Sequence, residues 1–473
     1  MVRRARLKTL AVLCLMFVLL VACGQKPGVS ELAGPAGAYA DLDGDGVPDA
    51  GPGGNDSLTD LGDGSGASAG SGSGAGAGSG GSGTGENTAA GSGRSGSGGS
   101  GSPSGGDTTG VTKDTIKIGL HAPITGAAPV PQASFERGKD LYWEWLRRNN
   151  QSINGRNVVV VSKNDNYNPS QAVARCQEMV EEDKVFMIFG LAGTDQIQAC
   201  ARYAESVGVP YLSAGVTESG LTSLRTYFAL WMSYKQQGPL LADMVVDKLR
   251  GRSKVNGMVR FQTPNFQDAH DAWVSAMRSK GARVSYDRAV PKTAGASDAQ
   301  TVATELRQRG VDIVYVLTSP SWFIQLANAA AQQGYRPQWV GVGITMGLDT
   351  VANVACRNQS SIQNARFLHP VSAFADSNRF DPDFRRAGGR DDIEWGLWGG
   401  SKGAAALLRA PGKDLTRERF IHFAERMRSV RTGVLPPLSF SPTDHFGGSQ
   451  MHLLRADCSN GRFVTEQAFV SNF

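Results

Sequence analysis

From residue 114 onward the apolar positions follow two alternating rhythms. "TIKIGL" (115–120) sets Ile116, Ile118 and Leu120 against Lys117 and Gly119, the period of two that a strand requires. "ASFERGKDLYWEWLRRNN" then places Phe135, Leu141, Trp145 and Leu146 at helical spacing. The strand "NVVVVSKND", the helix "NPSQAVARCQEMVEED", the strand "VFMIFG", the helix "TDQIQACARYAESVG" and the strand "VPYLSAG" follow. Asn168 or Ser170 is a candidate cap for the second helix, with Pro169 near its first turn. "VFMIFG" is the uninterrupted apolar run of a strand buried on both faces. This is β-α-β-α-β-α-β, the pattern of a doubly wound parallel sheet.

The alternation restarts after Pro239. "LLADMVVDKLRG", "FQDAHDAWVSAMRSKG", "DAQTVATELRQRG" and "SWFIQLANAAAQQG" read as helices between the strands "VNGMVRF", "RVSYDRAV", "VDIVYVLT" and "QWVGVG". "ARFLHPVSAF", three helices to about residue 430, and the strand-like "LPPLSFSP" and "MHLLRAD" complete the chain. The expected fold class is therefore α/β, two doubly wound parallel-sheet lobes joined by a hinge. The division assigns 111–235 and 366–437 to the first lobe, and 236–365 and 438–473 to the second. Such lobes present their loops at the carboxyl edges of the sheets, and two facing edges form a cleft that a hinge can close.

The first 110 residues follow neither rhythm. Residues 1–23 carry Arg3, Arg4, Arg6 and Lys8, then "LAVLCLMFVLLVA", then Cys23, which is a secretory leader too short for a spanning helix. Cys14 is discarded with it. Residues 24–110 hold half of the chain's 60 glycines. A segment this poor in apolar side chains cannot offset its ordering entropy, and as a coil it spans on the order of 50 Å. It reads as a tether. Within it "DLDGDGVPD" places Asp41, Asp43, Asp45 and Asp49 around Gly46 in the odd-position carboxylate pattern of a calcium loop. The twelfth position is Pro52 where such loops have glutamate, so any calcium binding is weak; the other reading is acidic residues that keep a tether solvated.

Of the 48 basic and 43 acidic residues, 42 and 33 lie beyond residue 110. The arginines are scattered through helical segments with no basic stripe interleaved with aromatics. With export, this excludes nucleic acid as a partner. Four cysteines remain there: Cys176, Cys200, Cys356 and Cys458. Four thiols in an oxidising compartment pair, with three connectivities open. Cys176 and Cys200 lie on helices flanking one strand, while Cys356 and Cys458 both fall to the second lobe, which favours 176–200 and 356–458. No HExxH motif or paired histidine spacing is present. "GVGITMG" has the wrong spacing for a dinucleotide loop, and "GASAG" lies in the tether with no strand before it. The chain is not expected to be an enzyme, and no cofactor is expected beyond weak calcium in the tether.

"IKIGLHAPITG" resembles the first strand and loop of the branched-chain amino-acid (leucine-binding) class of ABC-transporter substrate-binding proteins. "INGRNVVVVSKNDNYNPSQAVARCQEMV", "VFMIFGLAGTDQIQA", "GVPYLSAGVTES" and "LPPLSFSPTDHFGG" resemble further landmarks of that class, in its order, over residues 114 to about 470. The resemblance implies a type I periplasmic-binding fold. "LVAC" resembles a bacterial lipobox, which implies lipidation at Cys23 and a lipid-anchored, extracytoplasmic place on the cell membrane; an ordinary signal or uncleaved anchor is the alternative. An ABC permease, a small-molecule ligand and a monomeric state are implied as well.

The same resemblance implies a ligand carboxylate held near a helix start by Thr194, Gly215 and Thr217, with the loop from His121 to Thr125 lining the cleft. The competing reading has Thr194 and Asp195 capping that helix. From the second lobe Phe266 fits the aromatic of the class, and Ser319 falls near the position where the class often has tyrosine. At Gly343 and Ile344, in "VGVGITMG", the acid that pairs with a ligand ammonium is missing. An amide, urea-like or aromatic-acid solute is therefore as well matched as an amino acid. A ligand-sensing subunit of a receptor system on the same fold, and a surface spacer, are the alternative functions.

Overall fold

The structure is a computed structural model that describes residues 106–215, 220–342, 347–357 and 361–473. Cys23, Asp41, Asp43, Asp45, Asp49, Thr217 and Ile344 lie outside the described residues.

The first lobe is built on β1 (Thr115–Ala122), β2 (Asn157–Asn164), β3 (Met187–Gly190), β4 (Tyr211–Ser213) and β5 (Tyr227–Ala229). These pair in parallel throughout, in the order β2-β1-β3-β4-β5. Helices α1 (Gln132–Arg148), α2 (Pro169–Glu181) and α3 (Thr194–Ser206) make the crossovers. The alternating residues Ile116, Ile118 and Leu120 of β1 are all buried, as the period of two requires. The cap of α2 is Asn168: its side chain accepts from Gln171 N at 3.1 Å, and Pro169 occupies the first helical position, where a missing N–H costs nothing.

The second lobe follows with α4 (Tyr234–Asp243), β6 (Asn256–Phe261), α5 (Pro264–Ser279), β7 (Val284–Val290), α6 (Ala296–Gln308), β8 (Ile313–Leu317), α7 (Pro320–Gln332), β9 (Gln338–Val342), α8 (Leu348–Arg357) and β10 (Arg366–His369). After the short helices α9 (Ser377–Phe380) and α10 (Pro382–Arg386), α11 (Asp392–Arg409) and α12 (Arg417–Ala424) return to the first lobe. There Arg137 of α1 bonds Glu394 of α11 at 2.5 Å. β11 (Met451–Asp457) and β12 (Arg462–Val470) finish the second sheet, whose order is β12-β11-β10-β9-β8-β6-β7. β6 to β10 are parallel and the last two strands antiparallel, so this lobe ends in a hairpin rather than a further crossover.

Three lobe boundaries differ from those read in the sequence: Tyr234 and Lys235, assigned to the first lobe, open α4, which packs on α5 of the second. β10, assigned by pattern to the first lobe, pairs with β9 and β11 and belongs to the second sheet. The segment at 445–447 lies on the first lobe, where Ala229 N donates to His445 O at 2.9 Å and Gly447 N to Ala229 O at 2.8 Å. Only after Gly448 does the chain cross back. A Cβ at Gly448 would meet Met232 N at 2.8 Å, so glycine is what lets this crossing pack against the one that follows β5.

The expected disulfides are both present. Cys176–Cys200 ties α2 to α3, and Cys356–Cys458 ties α8 to the β11–β12 turn, with Cα separations of 6.1 and 4.8 Å. Each lobe thus carries its own cross-link, contributing on the order of 3–5 kcal/mol if unfolded-state entropy dominates. No helix among the described residues is long and apolar enough to cross a membrane.

Candidate functional site: the cleft between the lobes

In a doubly wound sheet the ligand crevice opens where the strand order reverses. That point lies between β1 and β3 in the first lobe and between β6 and β8 in the second. The loops after these four strands carry Pro123 to Pro131, Leu191 to Gly193, Gln262 to Thr263 and Thr318 to Ser319.

Thr194 opens α3. The N-cap is Gly193, with φ +81° and no side-chain cap, so neither Thr194 nor Asp195 is the capping residue that the competing reading proposes. Their side chains point across to the other lobe. The Thr194 hydroxyl lies 3.5 Å from Tyr234 Oη, and Tyr234 meets Phe266 edge-on at 5.6 Å between ring centres. Asp195 forms an ion pair with Lys292 and accepts from Asn265 Nδ2 at 2.8 Å. Lys292 also lies 5.3 Å over the Tyr167 ring. The structure therefore brings Thr194 and Phe266 together through Tyr234, a residue the sequence reading missed although it follows the first crossing directly.

Phe266 is more enclosed than a cleft-facing ring needs to be, with 9% of its surface exposed. It sits in the first turn of α5, where its N–H donates to the Thr263 cap at 3.2 Å. Gly215 is buried just after β4; its N–H donates to Ser213 Oγ at 3.2 Å, and a Cβ there would meet Ile197 at 2.4 Å. Ser319 acts as the cap of α7, accepting from Trp322 N at 3.3 Å.

His121 does not line the cleft. It is fully buried behind the β1 loop, with Nδ1 2.8 Å from Asp165 Oδ2 and Nε2 2.6 Å from Tyr211 Oη. Gly190 makes room for that chain, since a Cβ there would lie 1.9 Å from Tyr211 Oη. Burial pushes the Tyr211 hydroxyl well above the usual phenol range. The other carboxylate oxygen of Asp165 accepts from Tyr167 N at 3.0 Å, so the buried histidine holds the turn that presents Tyr167 to Lys292. Among the described residues, His121 with Cys176 and Cys200 is the one grouping spaced as metal ligands, and there the two sulfurs are bonded to each other.

The periplasmic binding protein family matches residues 115–462. The chain belongs to that family. An "amino acid binding protein" of Pseudomonas aeruginosa is 27% identical over 213 residues, 42% of this chain and 53% of the relative, so the chain matches about half of that relative's length. Among solved structures, a fatty acid ABC transporter substrate-binding protein from Thermomonospora curvata superposes with TM-score 0.65 at 17% identity, over 78% of this chain and 96% of that one. A branched-chain amino acid ABC transporter protein from Thermus thermophilus with bound valine gives 0.64 at 15% identity, over 76% and 98%. A solute-binding protein from R. palustris in complex with 4-hydroxybenzoate gives 0.62 at 17%, over 75% and 96%. These similarities establish the two-lobed fold, and the family is one of solute-binding proteins, not enzymes.

Proposed function

We propose that this periplasmic binding protein is a lipid-anchored, extracytoplasmic lipoprotein that captures a small carboxylate-bearing or amide-bearing solute between its lobes and delivers it to an ABC permease. The observation that carries the reading is the meeting of Thr194 from the first lobe with Tyr234 and Phe266 from the second. This is a hydroxyl at a helix start facing an aromatic wall across the strand-order reversals. The start of α3 favours an anionic end, because a helix N-terminus and its dipole present positive potential. The lack of an acid in "VGVGITMG" supports a solute without a paired ammonium, such as an aromatic acid, an amide or a urea-like compound. Valine and 4-hydroxybenzoate, bound by two proteins of the same fold, both carry a carboxylate.

A thermal-shift panel of amino acids, amides, ureas and aromatic acids tests the binding function. One class should raise the melting temperature in a saturable way, and a panel with no stabilising solute contradicts the proposal. The anchor is tested separately: Cys23→Ser should move the protein from the membrane fraction to the soluble one. Unchanged membrane association in Cys23→Ser would remove the lipoprotein assignment.

A further inference from the structure

Two independent polar contacts join the lobes at the start of α3. Asp195 lies in its first turn, with 21% of its side chain exposed, and both donors come from the other lobe: Lys292, two residues past β7, and Asn265, in the first turn of α5. Asn265 is itself buried and also reaches Gln198 at 3.4 Å, one turn further along α3. Lys292 is 30% exposed and has the Tyr167 ring under its ammonium group at 5.3 Å. Tyr167 stands at φ +54° on a turn fixed by buried Asp165, which is held by buried His121. The backbone strain of a tyrosine in the left-handed region persists only where the surroundings over-determine it. Here they do, and the result is a preset cationic seat on the first lobe next to an acid on the same lobe.

We infer that Asp195, Lys292, Asn265 and Tyr167 form a latch that holds the two lobes together without ligand, with Lys292 and Asn265 as the second lobe's positioning residues for closure. Both partners of the ion pair are partly withdrawn from water, and the acid gains a second, charge-assisted bond from Asn265. That raises its worth above a bare surface pair. A solute must then enter a cleft that is already biased toward closure, and salt must loosen that bias by screening the exposed part of the pair. The inference does not depend on which solute is bound.

The test places a fluorophore pair on exposed Gln151 of the first lobe and exposed Gln308 of the second in the full chain. Ketone-bearing amino acids serve as attachment points, so that both disulfides stay intact. Without ligand and at low salt, the wild type should show one dominant lobe separation. Lys292→Ala should raise the ratio of open to closed molecules on the order of tenfold, with Asn265→Ala in the same direction and Lys292→Arg close to wild type. High salt should move the wild type toward the Lys292→Ala distribution and leave that variant unmoved. Melting temperatures measured alongside separate opening from unfolding. A wild type that is already open, or a Lys292→Ala variant with an unchanged distribution at low salt, overturns the inference.

Discussion

Replacing Arg417 by methionine is expected to lower stability by about 3–5 kcal/mol and to leave solute affinity unchanged. Arg417 opens α12 and is almost wholly buried, at 6% exposure. Its Nη2 donates to Val185 O at 2.8 Å and its Nε to Phe186 O at 3.1 Å, which are the carbonyls just before β3. Its Nη1 pairs with Asp107 at 2.5 Å, and its own N–H donates to Asp107 O at 2.9 Å. One side chain thus ties Asp107, which the sequence pattern puts in the tether, to the entry of a central strand and a helix from the far end of the chain. Methionine fills similar volume but donates nothing, so the two carbonyls beside β3 lose their buried partner, while Asp107, 39% exposed, keeps the Thr109 N–H and water. Arg417→Lys keeps the charge without the planar fork and should recover only part of the loss. A methionine variant melting within a degree of wild type would contradict this account of Arg417.

The second large effect is a fall in stability as pH rises. Asp349 opens α8 in the second lobe and Asp392 opens α11 in the first; Asp349 N donates to Asp392 Oδ2 at 3.0 Å, and both line a cavity of about 10 Å³ beside the interlobe crossing at 371–373. Burial, with repulsion from Asp349 and Asp391, pushes Asp392 up to about 8. Burial, with repulsion from Asp376, pushes Asp349 up to about 6, although the Phe463 N–H, Arg462 and Arg385 pull the other way. His369 completes the titratable groups at the cavity. In the unfolded chain both carboxyls ionise near pH 4. Between about 4 and about 8 the folded state therefore binds more protons than the unfolded state, and stability drops as pH rises through that window. With solvent screening allowed for, the loss is on the order of 2 kcal/mol. Asp392→Asn, which accepts the Asp349 bond without a charge to bury, should flatten the decline. Melting temperature from pH 5 to 8.5 on both proteins reads the difference, and parallel curves would show that the pair does not titrate there.

How much of this was legible in the sequence depends on which physical signal each feature leaves. The parallel strands announced themselves because burial on both faces demands runs such as "VFMIFG", and the Asn168 cap is a local hydrogen bond with a local signature. The disulfide pairs followed from crossover topology, which places neighbours by rule. β5 is only three residues long, too short for any period to register, and its membership is decided by pairing with β4. α8 does repeat Leu348, Val351, Ala352 and Ala355 at helical spacing, but a pattern reading centred on long alternations passes over ten residues. "LPPLSFSP" reads as a strand, yet its prolines remove ladder donors and only Leu438 and Ser441 make isolated bridges there.

The site was legible in part. Thr194 and Phe266 were named because the resemblance to the substrate-binding class puts the ligand beside them. His121 was placed in the cleft because the resemblance has the loop from His121 to Thr125 line it; its partners Asp165 and Tyr211 lie 44 and 90 residues away, and no local pattern reveals that chain. The Asp195–Lys292 pair is likewise a contact between lobes separated by 97 residues.

The cleft itself is tested most directly by calorimetry with the solute that stabilises most in the thermal-shift panel. Because Thr194 is not the cap of α3, Thr194→Val should leave the ligand-free melting temperature near wild type while removing a hydroxyl bond to the solute. A hydroxyl bond to a charged end contributes about 1.5–3 kcal/mol, so Thr194→Val and Thr217→Val should each weaken binding by about ten- to a hundredfold. Wild-type affinity in both variants would contradict the proposal that the solute binds between the lobes at the start of α3.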